Sequence, residues 1–486
     1  MALIWFVLGY CLLVQTFSLE LQKPNVDTRL LRRMRGQHLA GPHKPAEEQG
    51  TKFESDMKLQ LHQIESIVKV GTEEVVRKRR EAEEKMLWPE SIMPYAFHPD
   101  IPLKMKTTIM AAMKHWEDNT CIKFWEYTPE VAEELGHHDR VLFQKGDGCS
   151  SSVGRSGDGV QITTMGTECN VMGSAAHEIG HSLGYYHEQS RLDRDEHVTI
   201  NFDNIVPAMV DNFRKYGDNV KSSEPYDVGS IMHYGPTFLS RDGESETISA
   251  KQRPLTGYMG QREALSFLDI KTANKVYKCD AKCENPPKCE NAGFVNERCR
   301  CVCPQGVSGP TCESVAASSD GCGGVMTSTT GNFQSHNYPS GYGDRAVCNW
   351  LIQGPAGSNI TVEFDHFEVE ADDYAPCGYD WLEVRDKGPE IPGLKFCGNK
   401  IPSAIHHPSN ILFLQFRSDA LYNSYTGFHA RYTITTKPNY TWSDWNEWTS
   451  CSAKCGGGNK LRRRECLEGK CVGLKFDVKR CNMDAC

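Results

Sequence analysis

Apolar positions recur along this chain with different periods, and each period predicts a different element. Leu3 to Val14 form an unbroken apolar run, the length of a signal-peptide core and too short for a membrane span of about 20 residues. Residues 19–80 are polar, charged and free of cysteine. From Ile101 to Asn119, Ile109, Met110, Met113 and Trp116 fall at helical spacing and predict an amphipathic helix. Val141-Leu142-Phe143 and Val160-Gln161-Ile162 read as short strands, and Ser266 with Asp269 reads as the cap of a last helix reaching Tyr277. Further on, Ile360 to Phe364 and Ile411 to Phe416 alternate with period two between turns, the pattern of a β-sandwich.

Chemistry enters with His177-Glu178-Ile179-Gly180-His181-Ser182-Leu183-Gly184-Tyr185-Tyr186-His187. On a helix, His177 and His181 lie about one turn apart, so both rings leave the same face and can share one zinc ion. Glu178 is not a ligand but can act as general base toward a metal-bound water. Gly184, lacking a Cβ, can turn the chain so that His187 returns as third ligand. Downstream, Ser230-Ile231-Met232-His233-Tyr234 supplies a methionine turn and a phenol. Isolated histidines are usually satisfied by solvent or backbone, but this many fixed residues outweigh that reading.

The extension His187-Glu188-Gln189-Ser190-Arg191-Leu192-Asp193-Arg194-Asp195 and the turn Ser230 to Gly235 resemble the astacin family of metzincins. That resemblance implies a two-lobed α+β zinc protease domain over residues 81–280, with Val141–Phe143 and Val160–Ile162 flanking its cleft. It also implies that Tyr234 is a fifth zinc ligand that swings away to stabilise the oxyanion. Leu192 stands where astacins usually carry proline. The basic run Arg77-Lys78-Arg79-Arg80, just before the astacin-like start at Trp88-Pro89, reads as a proprotein-convertase site closing a propeptide of residues 19–80, behind a signal peptide of residues 1–18. In astacins the freed amino end, here Glu81, pairs with the glutamate after the third histidine, here Glu188. Phe53-Glu54-Ser55-Asp56 resembles the prosegment motif in which an aspartate ligates zinc and silences the zymogen, with Ser55 in place of the usual glycine.

Net charge is only -9, and nothing reads as nucleic-acid binding. The 21 cysteines are too many for a reducing compartment and imply several oxidised, secreted modules. The astacin resemblance implies Cys121 with Cys279 and Cys149 with Cys169. Residues 281–313 resemble an EGF-like module, implying Cys283 with Cys299, Cys289 with Cys301 and Cys303 with Cys312; the short Cys299–Cys301 gap leaves other pairings open. Residues 322–435 resemble a CUB β-sandwich, implying Cys322 with Cys348, Cys377 with Cys397, and calcium on Glu370, Asp380 and Asp419. Residues 439–486 resemble a thrombospondin type 1 repeat, implying Cys451 with Cys481, Cys455 with Cys486 and Cys466 with Cys471, and a ladder of Trp442, Trp445 and Trp448 layered with Arg462 and Arg464. Asn359 and Asn439 fit N-glycosylation, and Trp442 and Trp445 fit C-mannosylation. Arg241, shortly after the methionine turn, would favour an acidic side chain after the scissile bond. The module order resembles nematode astacins, some of which process cuticle collagens. The expectation is therefore a secreted zinc endopeptidase of matrix proteins, procollagen foremost. A hatching or digestive protease, or a non-catalytic adhesion protein, are the alternatives.

Overall fold

The computed structural model describes residues 56–58, 86–215, 224–318, 321–371, 377–421, 424–436, 440–455, 457–469 and 475–482. Residues 3–14, Phe53 to Ser55, Arg77 to Glu81, Asn439, Cys471 and Cys486 lie outside them. Among the described residues, no helix is long and apolar enough to cross a membrane.

The first lobe of the protease region is a six-stranded sheet covered by two long helices. Strands β1 (Met57–Lys58), β2 (Ile92–Phe97), β3 (Lys123–Glu126), β4 (Arg140–Lys145), β5 (Cys149–Ser152) and β6 (Val160–Met165) lie in the order β1-β5-β6-β4-β2-β3. β5 runs antiparallel to β6, and β1 pairs parallel with β5. Helix α1 (Leu103–Asn119) starts after Pro102, whose fixed φ suits a helix entry. Met105, Ile109, Ala112, Met113 and Trp116 form its buried stripe. Met110, expected in that stripe, is 53% exposed instead. It sits about 100° around the helix from Ile109, which turns it off the sheet. The stripe packs on α3 (Met172–Ser182), and the Trp116 indole N–H donates to Ala176 O at 3.1 Å. Between them, α2 (Pro129–Leu135) is capped by Thr128 and ends at the left-handed Gly136.

Of this sheet the sequence announced only β4 and β6. β5, a polar Cys-Ser-Ser-Ser stretch with no hydrophobic alternation, lies outside β6 and β4 and carries β1. The strand that carries β1, and with it Asp56, beside the histidine cluster is thus β5 rather than β4.

The second lobe packs Phe213, Tyr226, Tyr234, Phe238 and Met259 around the pair β7 (Val198–Ile200) and β8 (Ile248–Ala250). It closes with α4 (Phe267–Val276), where Ser266 and Asp269 make a reciprocal capping box. Disulfides Cys121–Cys279 and Cys149–Cys169 both sit at the core of the first lobe, the former bringing the end of the protease region back to the end of α1. Three bridges, Cys283–Cys299, Cys289–Cys301 and Cys303–Cys312, follow in a short segment of two small hairpins.

Beyond it, a five-stranded and a four-stranded sheet face each other across Trp350, Ile360, Val362, Phe416 and Phe428. Cys322–Cys348 and Cys377–Cys397 close this sandwich. In the last module the strands Gly458–Arg463 and Phe476–Cys481 pair antiparallel, and Cys451 bonds Cys481. Arg462 lies between the rings of Trp445 (4.9 Å) and Trp448 (4.7 Å), with Arg464 4.6 Å from Trp445. So small a module gains stability from such cation–ring layers because it has little apolar core. The side chain of Trp442 is outside the described set.

Candidate active site

α3 carries His177 and His181 on one face, and all of it beyond Met172 is buried. It stops at Ser182, after which Gly184 at φ 105° turns the chain and returns His187 to the same point. The Nε2 atoms of His177 and His181 are 3.1 Å apart, and Asp56 Oδ2 lies 3.2 Å from Nε2 of both His177 and His187. All four side chains are essentially fully buried.

Second contacts fix which nitrogen carries the proton. His177 Nδ1 is 2.8 Å from Ile231 O, and His181 Nδ1 is 2.8 Å from Tyr185 O. A carbonyl oxygen only accepts, so each Nδ1 is the donor and each Nε2 presents a lone pair inward. Burial, helped by Arg262, pushes the His177 imidazole down to about 4, which keeps it neutral. Lone pairs meeting at this distance beside a carboxylate repel one another unless a cation lies among them. The donor set of imidazoles and one carboxylate is the set zinc takes, with a share of nitrogen that calcium and magnesium do not use. The residues therefore fit a zinc ion.

Burial works to raise the Asp56 carboxyl, but His187, His181 and His177 together hold it well below the usual carboxylate range. β1 delivers it: Ser151 N–H donates to Asp56 O at 2.9 Å, and Lys58 Nζ donates to Ile162 O at 2.9 Å. Glu178 is buried one residue from His177.

The floor is the methionine turn. A Cβ on Gly180 would come within 2.8 Å of Met232 Sδ, so a larger residue there would have to displace the Met232 thioether. Asp269 holds the turn, accepting from Ser230 Oγ (2.6 Å) and Ile231 N–H (2.9 Å) while capping α4. Nearby Asp227 is buried, and its carboxyl is pushed up to about 7 by burial and then by Asp269. Tyr234 is buried with its ring 4.3 Å from that of His187. Glu188 accepts from Arg191 Nη1 at 3.0 Å and from Asp227 N–H at 2.8 Å.

Other candidate residues fall elsewhere. Arg241 is exposed, its Nε donating to Ile205 O at 2.8 Å, and it does not join the histidine cluster. Asn359 is half-buried on the strand Ser358–Glu368. Leu192 is 45% exposed. In the sandwich, Glu370, Asp380 and Asp419 bring carboxylate oxygens within 4.8 Å of one another. Asp380 accepts from Tyr342 Oη at 2.5 Å and from Asp419 N–H at 2.6 Å. Sequence reasoning found the ligands but not the carbonyls of Ile231 and Tyr185 that aim them, since no side chain marks a carbonyl. Asp269 was visible only as a helix cap, and Asp227 not at all.

Three convergent imidazoles, two of them aimed by backbone carbonyls, with an adjacent glutamate and a methionine floor define a metzincin-type zinc peptidase site. Comparison with known proteins gives the family: Astacin, a peptidase family, matches residues 80–278, the CUB domain 322–432 and the thrombospondin type 1 domain 443–486. The chain is 33% identical over 468 residues to zinc metalloproteinase nas-36 of Caenorhabditis elegans, covering 89% of this chain and 74% of that one. It is 39% identical over 394 residues to protein SpAN of Strongylocentrotus purpuratus, covering 79% of this chain but only 63% of that one's length. High choriolytic enzyme 1, a hatching enzyme zinc-protease from Oryzias latipes, is 33% identical, covering 40% of this chain and 96% of that one, with TM-score 0.37. The chain belongs to the astacin family of zinc-dependent metallopeptidases.

Proposed function

We propose that this chain is a secreted zinc endopeptidase, made as a latent precursor, that cleaves extracellular matrix proteins, procollagen among them. The observation that carries the catalytic reading is the convergence of three imidazoles whose Nδ1 atoms are anchored at 2.8 Å to carbonyls for His177 and His181, with Glu178 buried beside them. His177, His181 and His187 would hold the zinc, which supplies Lewis-acid activation of a water and of the scissile carbonyl. Glu178 takes the proton from the attacking water and returns it to the leaving amine. Tyr234 donates its phenol hydrogen to the oxygen on which negative charge develops.

Asp56 in the same cluster supports latency, because a carboxylate within 3.2 Å of two ligand nitrogens fills the position a substrate would need. Cleavage after Arg80 by a proprotein convertase would release it. The new amino end at Glu81 would then exchange with Arg191 for Glu188. Disulfide-rich modules and the CUB and thrombospondin matches support an extracellular setting. Attached modules raise the local concentration of substrate. Glu370, Asp380 and Asp419 form an all-oxygen set that suits calcium. Arg241 is proposed to favour an acidic residue after the scissile bond; Arg241→Ala should flatten that preference in a peptide library.

The test is Glu178→Gln. The variant should keep one zinc per chain by atomic absorption and lose roughly 10² to 10⁴ in the rate of cleaving a procollagen-like substrate. Undiminished cleavage would refute the proposal.

A further inference from the structure

Asp56 is not the sole residue of the prosegment with a built seat. Met57, the next residue, is 1% exposed and packs with Val153, itself 2% exposed, and with Met86 and Tyr186. These four make a separate small apolar cluster, distinct from the cores of either lobe. Its walls come from the catalytic region. Val153 follows β5 directly, and Tyr186 immediately precedes the ligand His187. The pocket is therefore adjacent to the metal position and is formed by residues that stay when the prosegment leaves.

The register says which side of a substrate would use it. β1 runs parallel to β5, with Met57 opposite Ser151 and Lys58 opposite Ser152, so the prosegment moves from the histidine cluster toward the carboxyl end of β5. A substrate laid antiparallel on the same edge runs the other way. Its residues near Ser152 and Val153 come before those at the cluster, hence before the scissile bond.

We propose that the Met57 pocket, once vacated, is the subsite for an apolar side chain unbranched at Cβ at one of the two positions preceding the scissile bond. Met57 shows the shape that fits: a long, flexible chain without branching at Cβ, able to follow an irregular apolar wall. The inference rests on the reading of this chain as an endopeptidase with a removable prosegment.

The experiment uses the full chain, cleaved after Arg80 and loaded with zinc, on a randomised peptide library read by mass spectrometry. Wild type should enrich Met and Leu at one of the two positions before the cut by roughly tenfold over Asp or Gly, the discrimination one buried apolar side chain supplies. Val153→Ala, which widens the pocket, should move that enrichment toward Phe and Tyr. Val153→Phe, which fills it, should move it toward Ala and Ser. Opposite shifts at one position support the subsite. A library that is cut with the same profile by wild type and Val153→Ala overturns the subsite while leaving the proteolytic reading intact. No cleavage by zinc-loaded wild type overturns both.

Discussion

A few side chains decide this site, each through a contact that can be removed by itself. Asp56 offers the plainest case. If it blocks the metal position, a chain whose Arg77–Arg80 run is replaced by neutral residues should stay silent, and adding Asp56→Ala should release peptide cleavage without any processing. Silence of the double variant, with its zinc content intact, would show that latency lies elsewhere. Asp227 carries a second expectation, about pH. Burial and Asp269 hold its carboxyl up near 7 in the folded chain, against about 4 when unfolded. Between those values the folded state binds the extra proton, so this group's contribution to stability is full at low pH, falls as pH rises from about 4 to about 7, and then levels off. Asn cannot ionise. The melting temperature of Asp227→Asn relative to wild type should therefore rise between about pH 5 and about pH 8; a constant difference would contradict the shift.

At the scale of elements, α3 and the methionine turn depend on close approach and on one shared carboxylate. A Cβ on Gly173 would run into the Arg262 backbone carbonyl, a neighbour that cannot swing aside. Gly173→Ala should cost about 1 to 3 kcal/mol by overpacking, read from denaturant midpoints. Asp269 serves two elements at once, capping α4 and receiving Ser230 and Ile231. Those contacts fix Ile231, whose carbonyl aims His177. The two-element role was only half legible in the sequence. Ser266 with Asp269 announces a cap, and the helix does run Phe267–Val276, but the contact from Asp269 to Ser230 spans a gap that no local pattern encodes. Likewise the stripe Ile109, Met113, Trp116 declared α1 because its period matches its burial. β5 was silent because serines on a strand walled by other polar groups show no alternation: Ser151 Oγ meets Thr163 Oγ1 at 3.0 Å and Ser182 Oγ at 2.7 Å. The histidine motif was legible because the helix period sets the spacing of His177 and His181, and Gly184 marks the turn that returns His187.

Across the whole molecule, the modules touch through residues that carry no motif. Lys395, on the short strand Leu394–Phe396 of the sandwich, lies 4.3 Å from the Trp381 ring of its own module and 5.2 Å from the ring of Tyr258 in the second protease lobe. Leu394 packs on that lobe's core, and Tyr258 Oη reaches Glu383 at 3.4 Å. Arg385 Nη1 donates to Gln305 O at 3.1 Å, joining the three-disulfide segment to the same sheet. Burial lowers the Lys395 ammonium, with Arg385 and Arg417 adding to the shift against the pull of Glu383, while the two ring faces attract the cation. A sandwich seated in this way should unfold together with the protease rather than after it. Lys395→Glu replaces the shared cation with an anion beside Glu383, removing ring contacts together worth on the order of 2 kcal/mol and adding repulsion. Calorimetry of the zinc-loaded chain should then resolve a protease transition separate from that of the sandwich, whereas the wild-type transitions should be merged. Peptide cleavage by the isolated site should persist, because none of the residues around His177, His181 and His187 is altered. If Lys395→Glu leaves a single merged transition, the interface does not couple the two modules, and the sandwich acts on substrate as a tethered neighbour instead of as part of the protease wall.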